Sequence, residues 1–231
     1  MKMNKNFQKY KRSRPVISFV VDGKCEVWYL QLLKKHEREN AKNVNIEPEL
    51  PQKKKLKDQF DVVVELSKES DKVFWIVDFD TIMKETREAP KGTKTPLQEF
   101  QRLCNKCKSN KKIVVIVNNP CLEYWFLLHF EQTSKYFATY KQLEKPLKKH
   151  LLDYEKTEKY YKKHNNDIYQ RLKTKLSTAS LNSNRLGDFD FNNPRTGIAE
   201  MHKIFSELGL IERKQTRPQT SAALPAETIK L

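Results

Sequence analysis

Val73-Phe74-Trp75-Ile76-Val77-Asp78-Phe79-Asp80 joins an unbroken apolar run to two acids, and its reading decides the fold. The run is too short for a membrane span, and its aromatic and β-branched residues suit a strand buried on both faces. Asp71-Lys72 opens it. Upstream, Val16-Ile17-Ser18-Phe19-Val20-Val21 has the same character and stops at Asp22-Gly23, a turn signal. Downstream, Lys111–Val117 reads as a third strand, broken by Asn118-Asn119-Pro120. Between and beyond these strands the spacing predicts helices at Glu26–Asn40, Lys53–Ser70, Pro96–Lys108 and Cys121–Phe130, with a short strand at Val44–Glu47. Thr81–Lys94 is polar and contains Pro90 and Gly92, so a long loop is expected there. Strands alternating with helices predict an α/β fold with a mainly parallel sheet, whose chemistry lies beyond the carboxyl ends of the strands.

Polar residues collect at those ends. In extended backbone, Asp78 and Asp80 would point the same way and offer oxygen ligands to one hard cation, Mg²⁺ or Mn²⁺. Asp22 ends the first strand, and Glu26 comes four residues later at a helix start. Glu123 lies early in the apolar stretch Cys121–Phe130, where a partly buried acid needs a partner. Either glutamate also suits a helix N-terminus on dipole grounds alone. His129 reads as a core histidine. Cys104-x-x-Cys107 has no second pair at zinc-finger distance, and Cys25 and Cys121 read as packing residues. No phosphate-binding glycine loop, dinucleotide fingerprint or nucleophile elbow is present, which argues against the P-loop ATPases, common dinucleotide enzymes and α/β-hydrolases.

The 231 residues carry 45 Lys+Arg against 29 Asp+Glu, a net charge of +16. Residues 1–14 hold six Lys/Arg and no acid, and residues 141–175 hold eleven against five acids. The second segment is interleaved with Tyr154, Tyr160, Tyr161 and Tyr169, with Tyr140 just before it. Cations with stackable rings suit a nucleic acid, DNA or RNA. The candidate contacts are Lys24, Lys148, Lys149, Lys162, Lys163, Arg171, Lys173 and Arg195. The expected organisation is a disordered basic arm over 1–15, an α/β core over 16–133, a basic helical extension over 134–212 packing on the core, and a disordered tail over 213–231. Within the extension, helices are expected over 136–178, a loop over Asn182–Pro194 and a last helix over Thr196–Leu208. Few, scattered cysteines and the lack of a long apolar run predict a cytoplasmic protein without a membrane partner.

Several motifs taken together resemble the RloB-like family: Asp22-Gly23-Lys24-Cys25-Glu26 before Tyr29, then Asp78-Phe79-Asp80, Asn119-Pro120-Cys121-Leu122-Glu123 through His129-Phe130, and Asn193-Pro194-Arg195-Thr196. The resemblance runs from about residue 16 to 208. It implies a Toprim-like fold and a place beside restriction–modification and anti-phage genes. It implies a Mg²⁺-dependent nuclease in which Asp78 and Asp80 hold the metal, Asp22 stands at the acid/base position, and Glu26 and Glu123 support the site. Asp22 departs from the family's glutamate by one methylene, which makes Glu26 the other candidate for that role. The resemblance leaves two rival activities: a non-catalytic nucleic-acid- or protein-binding subunit, and a metal-dependent nucleotidyl or phosphoryl transferase. A defence ATPase or restriction–modification component, and a second copy of the chain, are the protein partners it suggests.

Overall fold

A computed structural model describes residues 15–21, 23–47 and 55–211. The basic arm (Pro15 apart), the tail over 213–231, and Asp22 lie outside the described residues. The chain runs β1 (Ile17–Val20), α1 (Lys24–His36), β2 (Val44–Glu47), α2 (Leu56–Glu69), β3 (Lys72–Asp78), α3 (Phe79–Glu88), α4 (Pro96–Cys107), β4 (Ile113–Asn119) and α5 (Glu123–Leu128). It continues through α6 (Tyr140–Lys148), α7 (Glu158–Tyr161), α8 (Ile168–Lys173), α9 (Leu176–Leu186), β5 (Ile198–Ala199) and α10 (His202–Glu207). The fold is α/β, as expected, with one five-stranded sheet of order β2-β1-β3-β4-β5. β1 to β4 are parallel, and β5 joins β4 antiparallel.

β3 is buried on both faces because both carry helices. Phe74 and Ile76 pack with α1 and α5, while Val73, Trp75 and Val77 pack with Phe100 and Leu103 of α4. The Trp75 indole N–H donates to Gln59 Oε1 of α2 at 2.9 Å, so its one polar atom is satisfied in the core. The first crossover, through α1, runs from β1 outward to β2. The next, through α2 on the opposite face, returns to the far side of β1. The strand order therefore reverses between β1 and β3, which opens a crevice beyond their carboxyl ends.

Three segments differ from expectation, the first being the loop expected over Asn182–Pro194, which α9 enters as far as Leu186. Residues 81–94 are not a long loop, because helix α3 occupies Phe79–Glu88. Phe79 and Ile82, one turn apart, are buried against the sheet, so burial of one face outweighs the polar content. Pro90 and Gly92, at φ +81°, mark only the short connection from α3 to α4. The last helix is shorter than Thr196–Leu208, because Ile198–Ala199 pairs with Asn118–Asn119 as the edge strand.

The sheet thus takes its fifth strand from the basic half of the chain, and that half shares the larger core with β1 and α1. A glycine sits at this junction. A Cβ on Gly197 would collide with the Lys135 carbonyl oxygen and the Tyr124 hydroxyl. Gly197→Ala must therefore push backbone aside, and overpacking of this kind removes roughly 1–3 kcal/mol. The urea midpoint should fall while the slope of the transition stays the same.

Candidate acidic site at the strand ends

The sheet delivers one carboxylate from β3 and the helices supply the rest. Asp78 is the last residue of β3 and shares its register with Asn118 of β4, so both side chains leave the sheet on the α1/α5 face. Asp78 Oδ1 accepts from the backbone N–H of Leu122 at 3.0 Å, which ties β3 to the start of α5. Asp80 does not extend the strand, contrary to the sequence expectation. It sits in the first turn of α3, its N–H bonded to the Pro120 carbonyl at 3.0 Å. The two aspartates reach the site from strand end and helix start, not as neighbours on one ribbon.

Glu26 lies in the first turn of α1 and is buried. Its carboxylate folds over Gly23, where a Cβ would meet Oε2, so a side chain there would push the Glu26 carboxylate aside. Glu26 also interacts with Asp78, and the Glu26 charge opposes ionisation of Asp78. Burial first, then the Glu123 charge, raises the Glu26 pKa to about 7. Burial, then Glu26 and Glu123, holds Asp78 well above the usual carboxylate range, and burial raises Asp80 as well. A helix N-terminus favours a carboxylate by only about 0.3–1 kcal/mol. Desolvation and like-charge repulsion outweigh it here.

Glu123, in α5, is 0% exposed, and its partners come from beyond residue 134. Tyr154 and Tyr161 donate to Oε1 at 2.6 and 3.4 Å and meet each other at 2.6 Å. Lys156 Nζ lies 2.9 Å from Oε2, but Oε2 makes no aligned hydrogen bond, so the contact is ionic rather than directional. The Lys156 ammonium also sits 3.9 Å from the Tyr140 ring centroid. Burial opposes its charge, yet Glu123 and Asp78 outweigh burial and raise the Lys156 pKa. In turn its charge lowers the pKa of Glu26, Asp78 and Asp80. Lys156 is the central cation of the cluster, and sequence reasoning passes over it. Nothing in Asp153-Tyr154-Glu155-Lys156 sets it apart from its basic neighbours.

Among the described residues no three His, Cys, Asp or Glu side chains stand ready to hold a metal ion together. The donors are nevertheless of the right kind. They are oxygens, they carry more negative charge than one ammonium offsets, and Asn118 adds an amide that is 0% exposed with neither polar atom partnered. A buried amide without partners marks a place for a missing ligand or water. A hard divalent cation fits this chemistry. A cavity of about 840 Å³ opens beside the cluster, with Gly23, Glu26, Asp78, Thr81 and Ile82 in its wall.

The basic segment does not present the expected stacking surface. Tyr154, Tyr160, Tyr161 and Tyr169 are buried, because the segment packs its aromatic side into the core. Of the candidate nucleic-acid contacts, Lys148 pairs with Glu144, Lys162 with Glu158 and Lys173 with Glu37, at 2.8, 2.7 and 2.6 Å. Arg171 forks onto Asp153 at 3.1 and 3.2 Å and donates to the Tyr160 hydroxyl at 2.6 Å, a structural role. Lys24, Lys149, Lys163 and Arg195 are exposed. His129 is a core residue, with Nδ1 2.9 Å from the Trp125 carbonyl and its pKa lowered to about 4, mainly by burial. The four cysteines are free thiols.

The Glu26 shift has a consequence for stability. Between pH 4.5 and 7 the folded chain holds a proton that the unfolded chain releases, so the Glu26 contribution falls as pH rises through that window. Glu26→Gln removes the charge. Without metal, the variant should gain on the order of 2–3 kcal/mol over the parent at pH 8 and little near pH 4.5. Urea titrations with chelator at the two pH values read the difference.

No helix among the described residues is long and apolar enough to cross a membrane. No curated protein and no solved structure matches this chain. A family model described as RloB-like protein matches residues 17–208, a span holding β1, β3, β4 and all four carboxylates of the site, and the chain belongs to that family.

Proposed function

We propose that the chain is a Toprim-like, metal-dependent nuclease that hydrolyses nucleic-acid phosphodiesters in prokaryotic anti-phage defence. The observation that carries this reading is the set of desolvated carboxylates, Glu26, Asp78, Asp80 and Glu123, gathered at the point where the strand order reverses. Groups so poised need a cation before a phosphate can approach. Asp78 and Asp80 would hold Mg²⁺ or Mn²⁺, with the Asn118 carbonyl oxygen turned to the same side. Asp22, next but one in the chain after β1, is the further candidate ligand and acid/base. Such an ion would neutralise the phosphodiester and make water a better nucleophile at neutral pH.

The chain's own groups do the rest. Glu123, held by two tyrosine hydroxyls, stays fixed as the buried carboxyl group behind the site. Glu26, with a pKa of about 7, suits proton transfer near neutral pH. Lys24, Lys149, Lys163 and Arg195 are exposed cations for the phosphate backbone. The protein would work in the cytoplasm, with a defence ATPase or restriction–modification component, or a second copy, as protein partner.

The test is incubation of the full chain with plasmid DNA, single-stranded DNA and tRNA, with Mn²⁺ or with chelator. Metal-dependent cleavage of any of the three is expected. Intact substrates with a salt-dependent gel shift would instead establish the non-catalytic binding subunit. Transfer of a nucleotidyl group without hydrolysis would establish the transferase.

A further inference from the structure

The carboxylate cluster is closed by a cation that the chain itself supplies. Lys156 lies on the connection between α6 and α7, well outside the sheet that carries Asp78. Its Nζ is 2.9 Å from Glu123 Oε2 and faces the Tyr140 ring, and its charge acts on Asp78, Asp80 and Glu26 together. A divalent ion drawn to this cluster meets an ammonium already paired with one of its carboxylates, Glu123. The Lys156 side chain keeps 34% exposure, so it has room to swing toward solvent. Glu123 would then keep its two tyrosine donors, and its fold position does not depend on the lysine.

We propose that Lys156 is a built-in competitor for the metal: its ammonium holds the carboxylate cluster closed and must leave before a divalent ion binds. The connection between α6 and α7 therefore regulates metal loading. Any contact that draws Lys156 outward, such as a phosphate of bound nucleic acid, favours loading. The proposal rests on the metal-site reading and adds to it an affinity that a surface connection controls.

The experiment is calorimetric titration of Mn²⁺ alone into the full chain, Lys156→Met and Lys156→Arg. Two charges about 4 Å apart near a protein surface attract or repel appreciably, and exposure reduces this, so Lys156→Met should bind ~10–100-fold more tightly. Lys156→Arg, which keeps the charge, should stay near the parent. Lys156→Gln carries the same expectation as the methionine variant should that one fail to fold. Hydrogen exchange adds a second readout: Mn²⁺ should speed exchange of amides between α6 and α7 in the parent, as the connection is released. Equal Mn²⁺ affinity in parent and Lys156→Met would overturn the competitor while leaving the metal site standing. Binding to none of the proteins would overturn both.

Discussion

Asp78→Asn leaves the protein folded and reduces Mn²⁺-dependent cleavage at least ~10³-fold, while the gel shift with nucleic acid stays in place. The substitution is nearly isosteric. The asparagine amide keeps an oxygen for the Leu122 N–H, which Asp78 Oδ1 accepts at 3.0 Å, so the tie between β3 and α5 survives. What it removes is one negative charge at the centre of the cluster, where burial already disfavours that charge. A divalent ion contributes several kcal/mol to charge stabilisation in phosphoryl chemistry, and each step of about 1.36 kcal/mol is tenfold in rate. Gel-based cleavage assays with parent and variant at equal concentration read the loss. Cleavage within about tenfold of the parent would remove Asp78 from the metal site.

The second large effect is on stability. Trp125 is 0% exposed in α5, stacks on Phe205 of α10 with ring centroids 5.4 Å apart, and donates its indole N–H to the Tyr29 hydroxyl at 3.1 Å. It therefore joins α5, α10 and α1. Truncation of a buried tryptophan removes about 3–5 kcal/mol, and the Tyr29 hydroxyl loses a partner in a buried place. For a chain of this size each kcal/mol is worth about 2–4 °C, so Trp125→Ala should lower Tm by about 6–20 °C in scanning calorimetry. Trp125→Phe keeps most of the ring contact and should lose less than half as much. Equal loss in both variants would mean that the hydrogen bond, not the packing, dominates.

The alternation of apolar runs and amphipathic stretches is enough to reveal the parallel sheet, because β1, β3 and β4 lie between layers of helices and cannot be built from polar residues. β2 is legible over its full length, Val44–Glu47. The α3 helix is not, since only Phe79 and Ile82 carry its buried face and the polar remainder reads as loop. β5 is two residues long and exists only through its pairing with Asn118 and Asn119. No local pattern announces such a strand. At the site, Glu26, Asp78, Asp80 and Glu123 can be named from their places at strand ends and helix starts. The tyrosines and Lys156 cannot be placed. Their roles come from how the basic half folds back over the core, and in sequence they look like a solvated, nucleic-acid-facing stretch.

That fold-back changes the meaning of the +16 charge. Part of it is used within the molecule: Lys148, Lys162, Arg171 and Lys173 face carboxylates, and Lys156 closes the acidic site. The exposed remainder is what a polyanion meets.

The central claim is that the acids at the strand ends form a divalent-cation site. Calorimetric titration of Mn²⁺ into the metal-free parent and into Asp78→Asn at neutral pH tests it most directly. The account predicts saturable binding by the parent, accompanied by proton release from the cluster, where Glu26 has a pKa of about 7, and its loss in Asp78→Asn. Absence of saturable binding by the parent, or equal binding by the two proteins, would contradict it.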